Sequence, residues 1–308
     1  MASRSLATLD LPVALPTSAA RSTVFSDYWA LTKPEVNFLI VLTTFAGFYL
    51  ARPAGWRNFP FWLSINALLG TLLVASGTGT LNQYLERGFD AQMRRTARRP
   101  LAAGRLKSAA VLWFGIALSV VGSVYLAVAV NVLASLLAMA TLLAYLFFYT
   151  PLKRKTPLCT LVGAFPGAMP PLIGWAAASG KLNFEAWTLY AVLFLWQFPH
   201  FMAIAWMYRE DYARAGYLVL PPDESVRARL VNLQTMLPLL ALMPLSLLPG
   251  SRGEAKIYLI GALLLAAGFF YCAAQFVLRR SNSAARRLLA ASIIYLPALF
   301  GVMVLARA

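Results

Sequence analysis

Nine apolar runs dominate the chain, near residues 36–51, 61–81, 109–130, 132–148, 158–178, 186–207, 230–249, 257–278 and 288–305. Most are long enough to cross a ~30 Å hydrocarbon core, which takes roughly 17–25 helical residues. The first is short unless its helix begins near Pro34, a residue well suited to a first turn. Hydrophobic residues make up 60% of the 308, against about 45–50% apolar in ordinary soluble domains. The expected fold is all-α: a polytopic membrane protein with nine transmembrane helices.

Charge orients those helices. Placing the N-terminus in the cytoplasm puts 21 of the 27 Lys and Arg residues in the inner segments and six outside. That asymmetry is the signature of cytoplasmic loops, and it supports the count of nine, since dropping one span would scramble the alternation. The formal charge of +16 therefore reports topology, and nucleic acid is set aside as a partner. The lipid bilayer is the expected surrounding. Nine of the eleven acids also fall inside, which the charge rule does not require. An anion-and-metal site on that face supplies a reason. No Asp, Glu, Lys or Arg falls mid-span, whereas transporters of charged solutes place such groups near the midplane.

Residues 1–30 hold Ser, Thr, Ala, Pro and two arginines with no apolar signal core. They read as a flexible cytosolic tail, with residues 31–308 as one transmembrane domain. Cys159 and Cys272 lie inside apolar runs without Cys or His neighbours, so neither a zinc site nor a disulfide is indicated.

The most informative stretch is N-Q-Y-L-E-R-G-F-D-A-Q-M-R-R-T-A-R-R-P-L-A-A-G, residues 82–104. Asn82, Glu86 and Asp90 recur every fourth residue and share one broad helix face. Oxygen ligands in that pattern suit Mg²⁺, which takes one or two carboxylates and leaves its other positions to water and phosphate oxygens. Arg87, Arg94, Arg95, Arg98 and Arg99 interleave or follow, and arginine grips phosphate in a bidentate fork. The pattern fits a diphosphate carried on a metal; a plain basic cytoplasmic loop accounts for the arginines alone.

Three further strings matter. Y-T-P-L-K-R-K-T-P (149–157) offers Lys153, Arg154 and Lys155 to an anion, or anchors topology. G-A-F-P-G-A-M-P-P-L-I-G-W (163–175) has too many prolines and glycines for a regular helix. Its Gly163 and Gly167 form a small-xxx-small pair, and its broken backbone suits a cavity wall. F-P-H-F-M-A-I-A-W-M-Y-R-E-D-Y-A-R-A-G (198–216) carries the only histidine, His200, about 13 Å of helical rise before Arg209. Glu210 and Asp211 form a second acidic element on the same face.

These four strings together resemble the UbiA superfamily of intramembrane prenyltransferases over nearly the whole chain from Asp27, and most closely its haem-modifying branch. The resemblance implies a nine-helix bundle around a central cavity open to the cytoplasm. It implies transfer of a farnesyl group from farnesyl diphosphate to the 2-vinyl carbon of haem B, with water added, using Mg²⁺. By position, Asn82, Glu86 and Asp90 correspond to the first diphosphate–Mg²⁺ motif, and Asp211 with Glu210 to the second. Arg95, Arg99, Lys153, Arg154 and Arg209 correspond to contacts of the diphosphate or the haem carboxylates, and His200 to a haem-site residue that either ligates iron or handles a proton. Two positions depart from the wider superfamily: Glu86 stands where Asp is usual, and Met207 where the second motif has an aspartate, so the number of Mg²⁺ ions stays open. Phe147, Phe148, Phe198 and Trp206 are expected to hold the prenyl tail or to pack. A quinone-precursor acceptor and a haem transporter are the alternative readings. The expected location is a bacterial plasma membrane, with the mitochondrial inner membrane as alternative. A complex with haem A synthase or a terminal oxidase fits that chemistry.

Overall fold

The computed structural model describes residues 23–52, 59–248 and 256–307, and every regular element among them is helical. Thirteen α-helices follow in order. They are α1 Val24–Leu31, α2 Pro34–Leu50, α3 Phe61–Asp90, α4 Ser108–Ala129, α5 Val132–Leu143, α6 Thr150–Leu152, α7 Cys159–Gly167, α8 Pro170–Ser179, α9 Phe184–Met207, α10 Arg209–Arg214, α11 Glu224–Leu247, α12 Lys256–Arg279 and α13 Asn282–Arg307.

Eight stretches are long and apolar enough to cross a membrane; Cys159–Ser179 is built from two helices, and Val132–Leu152 from two helices joined by a π-helical turn. The ninth run appears as α2, which begins at Pro34 and has 17 residues. The proposed 1–30 tail lies mostly outside the described residues; from Val24 that stretch is already helix α1. α1 shows Val24, Phe25 and Trp29 to the surroundings and buries Asp27 and Leu31. Such a face suits the membrane interface.

The helices close into a ring. α2 packs on α3, α3 on α4, α4 on α5, and α5 on α7 and α8. α7 and α8 pack on α9, α9 on α11 and α13, α11 on α12, α12 on α13, and α13 back on α2. Outward faces carry large apolar side chains, among them Trp62, Val128, Leu264 and Leu278, as lipid contact requires. Phe147 and Phe148 are likewise exposed. They lie in a π-helical turn, Ala144–Tyr149, whose Leu146 is buried.

The proline- and glycine-rich run breaks, as its composition predicts, into α7 and α8 at Ala168 and Met169. It is the most buried span, and every residue from Pro170 to Ala178 is buried. α8 is thus packed core and not the wall of an open space. Its contact with α2 is backbone to backbone: a Cβ at Gly174 would strike the Thr44 carbonyl, and one at Gly47 the Pro171 carbonyl. Gly163 abuts Tyr149 and Gly167 abuts Gln197, the close approach expected of a small-xxx-small pair.

Candidate functional site

Thirty residues give α3 a length of about 45 Å, well beyond a ~30 Å hydrocarbon core. Its last turns extend past the apolar layer and carry the polar triad. Asn82, Glu86 and Asp90 are each at most 6% exposed, so each must find a partner. Each finds a cation. Lys33 Nζ donates to Asn82 Oδ1 (3.0 Å), Lys153 Nζ to Glu86 Oε1 (2.8 Å), and Arg99 to Asp90 Oδ2 (2.7 Å). Asn82 Nδ2 donates in turn to Thr150 Oγ1 (3.2 Å).

Local structure fixes these cations. α6 follows the π-helical turn directly and ends beside Lys153. The Lys153 ammonium lies 4.5 Å from the Tyr149 ring centre and 5.9 Å from that of Tyr145. Its carbonyl accepts from Leu218 N–H (2.7 Å), which ties it to the loop after α10. Arg99 lies in the turn-rich segment after α3, anchored where Thr96 Oγ1 donates to the Asp90 carbonyl (2.8 Å). That segment is also held to α1, where Arg105 Nε donates to both carboxylate oxygens of Asp27 (3.0 and 3.1 Å).

Lys33 is the site residue that sequence reading missed; it had counted only as a topology charge. It sits at φ 53° in the left-handed region, between α1 and α2. That conformation is costly for a residue with a Cβ and persists only where neighbours impose it. They do: Gln83 Nε2 donates to the Leu31 carbonyl (3.0 Å), and Asn37 Nδ2 to the Thr32 carbonyl (2.7 Å) and Ser76 Oγ (2.9 Å). Burial pushes its ammonium down to about 7, and the Arg99 charge adds to that shift while Glu86 opposes it. Its signal in the sequence is the Lys-Pro pair at the entry to the first span.

The other expected residues lie around this cluster. Arg95 stacks over the Tyr208 ring (4.8 Å) and Arg154 over the Phe89 ring (4.3 Å). Arg95 and Arg154 are exposed and bind no carboxylate among the described residues, so both are free to meet an anion. Asp211 pairs with Arg214 (2.9 Å), one turn along α10. Met93 and Phe89 pack with Ala215, Tyr217 and Tyr212, which brings the α10 loop against the end of α3. Glu210 points out, 79% exposed, and Arg209 turns to Asn282 (3.0 Å) and the Trp206 carbonyl (2.8 Å), so neither reaches the triad. Phe198 is buried beside Phe194, and Trp206 packs on Phe276.

His200 lies on α9, stacked on Trp196 (4.6 Å), with Nδ1 2.8 Å from Ser292 Oγ of α13. Trp196 Nε1 donates to the Ser292 carbonyl (2.8 Å), so the same pair of helices is joined twice.

Among the described residues no three His, Cys, Asp or Glu side chains converge on one point. Mg²⁺ does not need such a cage, since it relies on one or two carboxylates. One observation fits it directly: Asp90 Oδ1 is buried and makes no hydrogen bond. A buried carboxylate oxygen left without a partner is expensive, and a hard cation is its natural complement.

Comparison with known proteins gives the following. The UbiA prenyltransferase family matches residues 40–296. The chain is 47% identical over 291 residues to a protoheme IX farnesyltransferase of Solibacter usitatus (strain Ellin6076), covering 91% of this chain and 98% of the other. It is 40% identical over 304 residues to that of Koribacter versatilis (strain Ellin345), covering 96% and 97%. Among solved structures, one described for digeranylgeranylglyceryl phosphate synthase aligns with a TM-score of 0.74 at 15% identity, covering 92% of this chain and 98% of that one. A UbiA homolog from Archaeoglobus fulgidus bound to GPP and Mg²⁺ aligns at 0.62 and 17%, covering 90% and 99%. These structures share the fold.

Proposed function

Since this chain belongs to the UbiA prenyltransferase family, we propose that it transfers the farnesyl group of farnesyl diphosphate to the vinyl group of haem B and so makes haem O. The acceptor follows from near full-length likeness to relatives that carry that name. The reading of the reacting end is supported by the site: the observation that carries it is Asp90, with one oxygen on Arg99 and the other unpartnered.

Asn82, Glu86 and Asp90 would hold Mg²⁺, with Asp211 supplying a carboxylate from α10. The ion would supply charge neutralisation for the diphosphate. The chain's own cations do the rest. Lys153, Arg99 and Lys33 already stand against the triad, and Arg95 and Arg154 flank it. Together they stabilise the negative charge that develops as the C1–O bond of the prenyl diphosphate breaks and diphosphate leaves with the electron pair. The buried setting excludes water from the allylic cation left behind. The terminal vinyl carbon then bonds to C1, the positive charge moves to the carbon next to the porphyrin ring, and water adds there with loss of a proton.

The place of this reaction is the basic end of the bundle, at the cytoplasmic face of a bacterial plasma membrane. The test is turnover by detergent-purified protein given haem B, farnesyl diphosphate and Mg²⁺, with and without chelator. A chelator-sensitive gain of farnesyl plus water in porphyrin mass is expected. Prenylation of a phenolic acid in place of haem would overturn the acceptor and keep the fold; no turnover with any acceptor, in folded protein, would overturn the enzyme reading.

A further inference from the structure

The loop after α10 brings a polar group to the triad that the sequence did not mark. α10 ends in a Schellman motif: Gly216 N–H donates to the Ala213 carbonyl (3.1 Å) and Tyr217 N–H to the Tyr212 carbonyl (2.9 Å), with Gly216 at φ 72°. This ending folds Tyr217 back onto Tyr212, ring centres 6.0 Å apart, and against Phe89 of α3, 5.7 Å apart. The next residue is tied down too, since Leu218 N–H donates to the Lys153 carbonyl (2.7 Å). Tyr217 is thus held between the end of α3 and the lysine that grips Glu86, and only 4% of it is exposed.

The Tyr217 hydroxyl is buried and closes no hydrogen bond among the described residues. Burial, with the nearby charges of Glu86 and Asp90, pushes the phenol well above its ordinary range, so the group remains an O–H donor. Glu86 beside it is occupied by Lys153, and Asp90 by Arg99 on one oxygen only. The other oxygen, Asp90 Oδ1, is equally buried and unpartnered. One donor and one acceptor therefore stand unpaired in the same cluster, on different elements, and do not satisfy each other. Both are costly to leave bare. A ligand that carries both signs answers them together: a cation for Asp90 and an anionic oxygen for Tyr217, which a metal-bound diphosphate combines.

We propose that Tyr217 is a further diphosphate-binding residue, whose O–H donates to a phosphate oxygen of the prenyl diphosphate beside Lys153. This rests on the diphosphate reading of the triad above and is independent of the acceptor. As the C1–O bond breaks and diphosphate leaves with the electron pair, charge gathers on its oxygens and the hydrogen bond strengthens; no proton changes hands. Lys153 and Arg99 are engaged before any ligand arrives, whereas this hydroxyl is free to donate from the outset.

The experiment uses Tyr217→Phe in the full-length protein in detergent, which removes one oxygen and keeps the ring against Phe89 and Tyr212. That oxygen has no partner to lose, so the melting temperature should not change. Magnesium pyrophosphate binding, read by calorimetry, should weaken about tenfold, and kcat with farnesyl diphosphate should fall about 10²-fold. Wild-type pyrophosphate affinity in Tyr217→Phe would overturn the inference. So would a melting temperature lowered by several degrees, which would mark the hydroxyl as structural. A third contrary result is a double variant with Glu86→Gln that binds pyrophosphate as well as Glu86→Gln alone, since the hydroxyl would then serve Glu86 and not the ligand. A wild type that binds no magnesium pyrophosphate would overturn the diphosphate reading together with this one. Weakened binding in Tyr217→Phe, beside a wild type that leaves haem B unchanged, would support the inference and overturn only the acceptor.

Discussion

Lys153 Nζ lies 2.8 Å from Glu86 Oε1, a contact that spans 67 residues of sequence and joins the segment after α6 to the acid face of α3. It sets a lysine where a departing diphosphate would need one. Lys153→Met should lower turnover by about 10²-fold, the usual cost of one electrostatic stabiliser, and raise the KM for farnesyl diphosphate. Glu86→Gln should cost about as much, and the double variant little more than either single one, because the two act as a unit. Steady-state kinetics check this; a fully additive double variant would sink the coupling.

Asn82→Ala and Asp90→Ala should abolish turnover, and both should retain the wild-type elution profile and a melting temperature within a few degrees. Product mass spectrometry beside a thermal melt reads the two effects separately. Full activity in both variants would remove α3 from the reaction.

Lys33 joins charge to backbone strain, and substitutions can part them. Lys33→Gly removes the ammonium but accepts the positive φ, which relieves about 1 kcal/mol of strain. The relieved strain offsets part of the about 1–3 kcal/mol lost when Asn82 Oδ1 is left without its partner, so the expected result is a modest loss of stability with activity down by about 10²-fold. Retained activity in Lys33→Gly would show that the backbone turn, and not the cation, matters.

Gly174 meets the Thr44 carbonyl, which as backbone cannot move aside. Gly174→Ala should therefore destabilise by about 1–3 kcal/mol through overpacking between α2 and α8. Gly268→Ala, at a position with nothing within 4 Å, should leave the melting temperature unchanged. Equal melting curves for the two would contradict the close contact.

The hydrophobic runs made the helices legible because lipid leaves few choices to the backbone. The break at Ala168 and Met169 was legible from Pro166, Pro170 and Pro171. The four-residue spacing put Asn82, Glu86 and Asp90 on one face of α3, and the structure pairs Lys153 and Arg99 with Glu86 and Asp90 there. Lys33 was hidden because its place depends on a left-handed turn imposed by Gln83 and Asn37, which lie far along the sequence or on another face. The π-helical turn that carries Phe147 and Phe148 was not legible in the sequence. Glu210 and Arg209 sit next to Asp211 in the sequence, but α9 ends at Met207 and the new axis of α10 turns them elsewhere.

The one-to-one matching of Asn82, Glu86 and Asp90 with Lys33, Lys153 and Arg99 bears on how such a molecule is made. Insertion into a bilayer and the first folding happen before any substrate is met. A bare acidic face would then repel itself and draw water into the helix ends. With Lys153 on Glu86 and Arg99 on Asp90, both carboxylates are neutralised before any ligand arrives, and Lys33 satisfies the Asn82 amide. On the proposed function, loading would be an exchange in which an incoming diphosphate takes over Lys33, Lys153 and Arg99 and frees Glu86 and Asp90 for a metal.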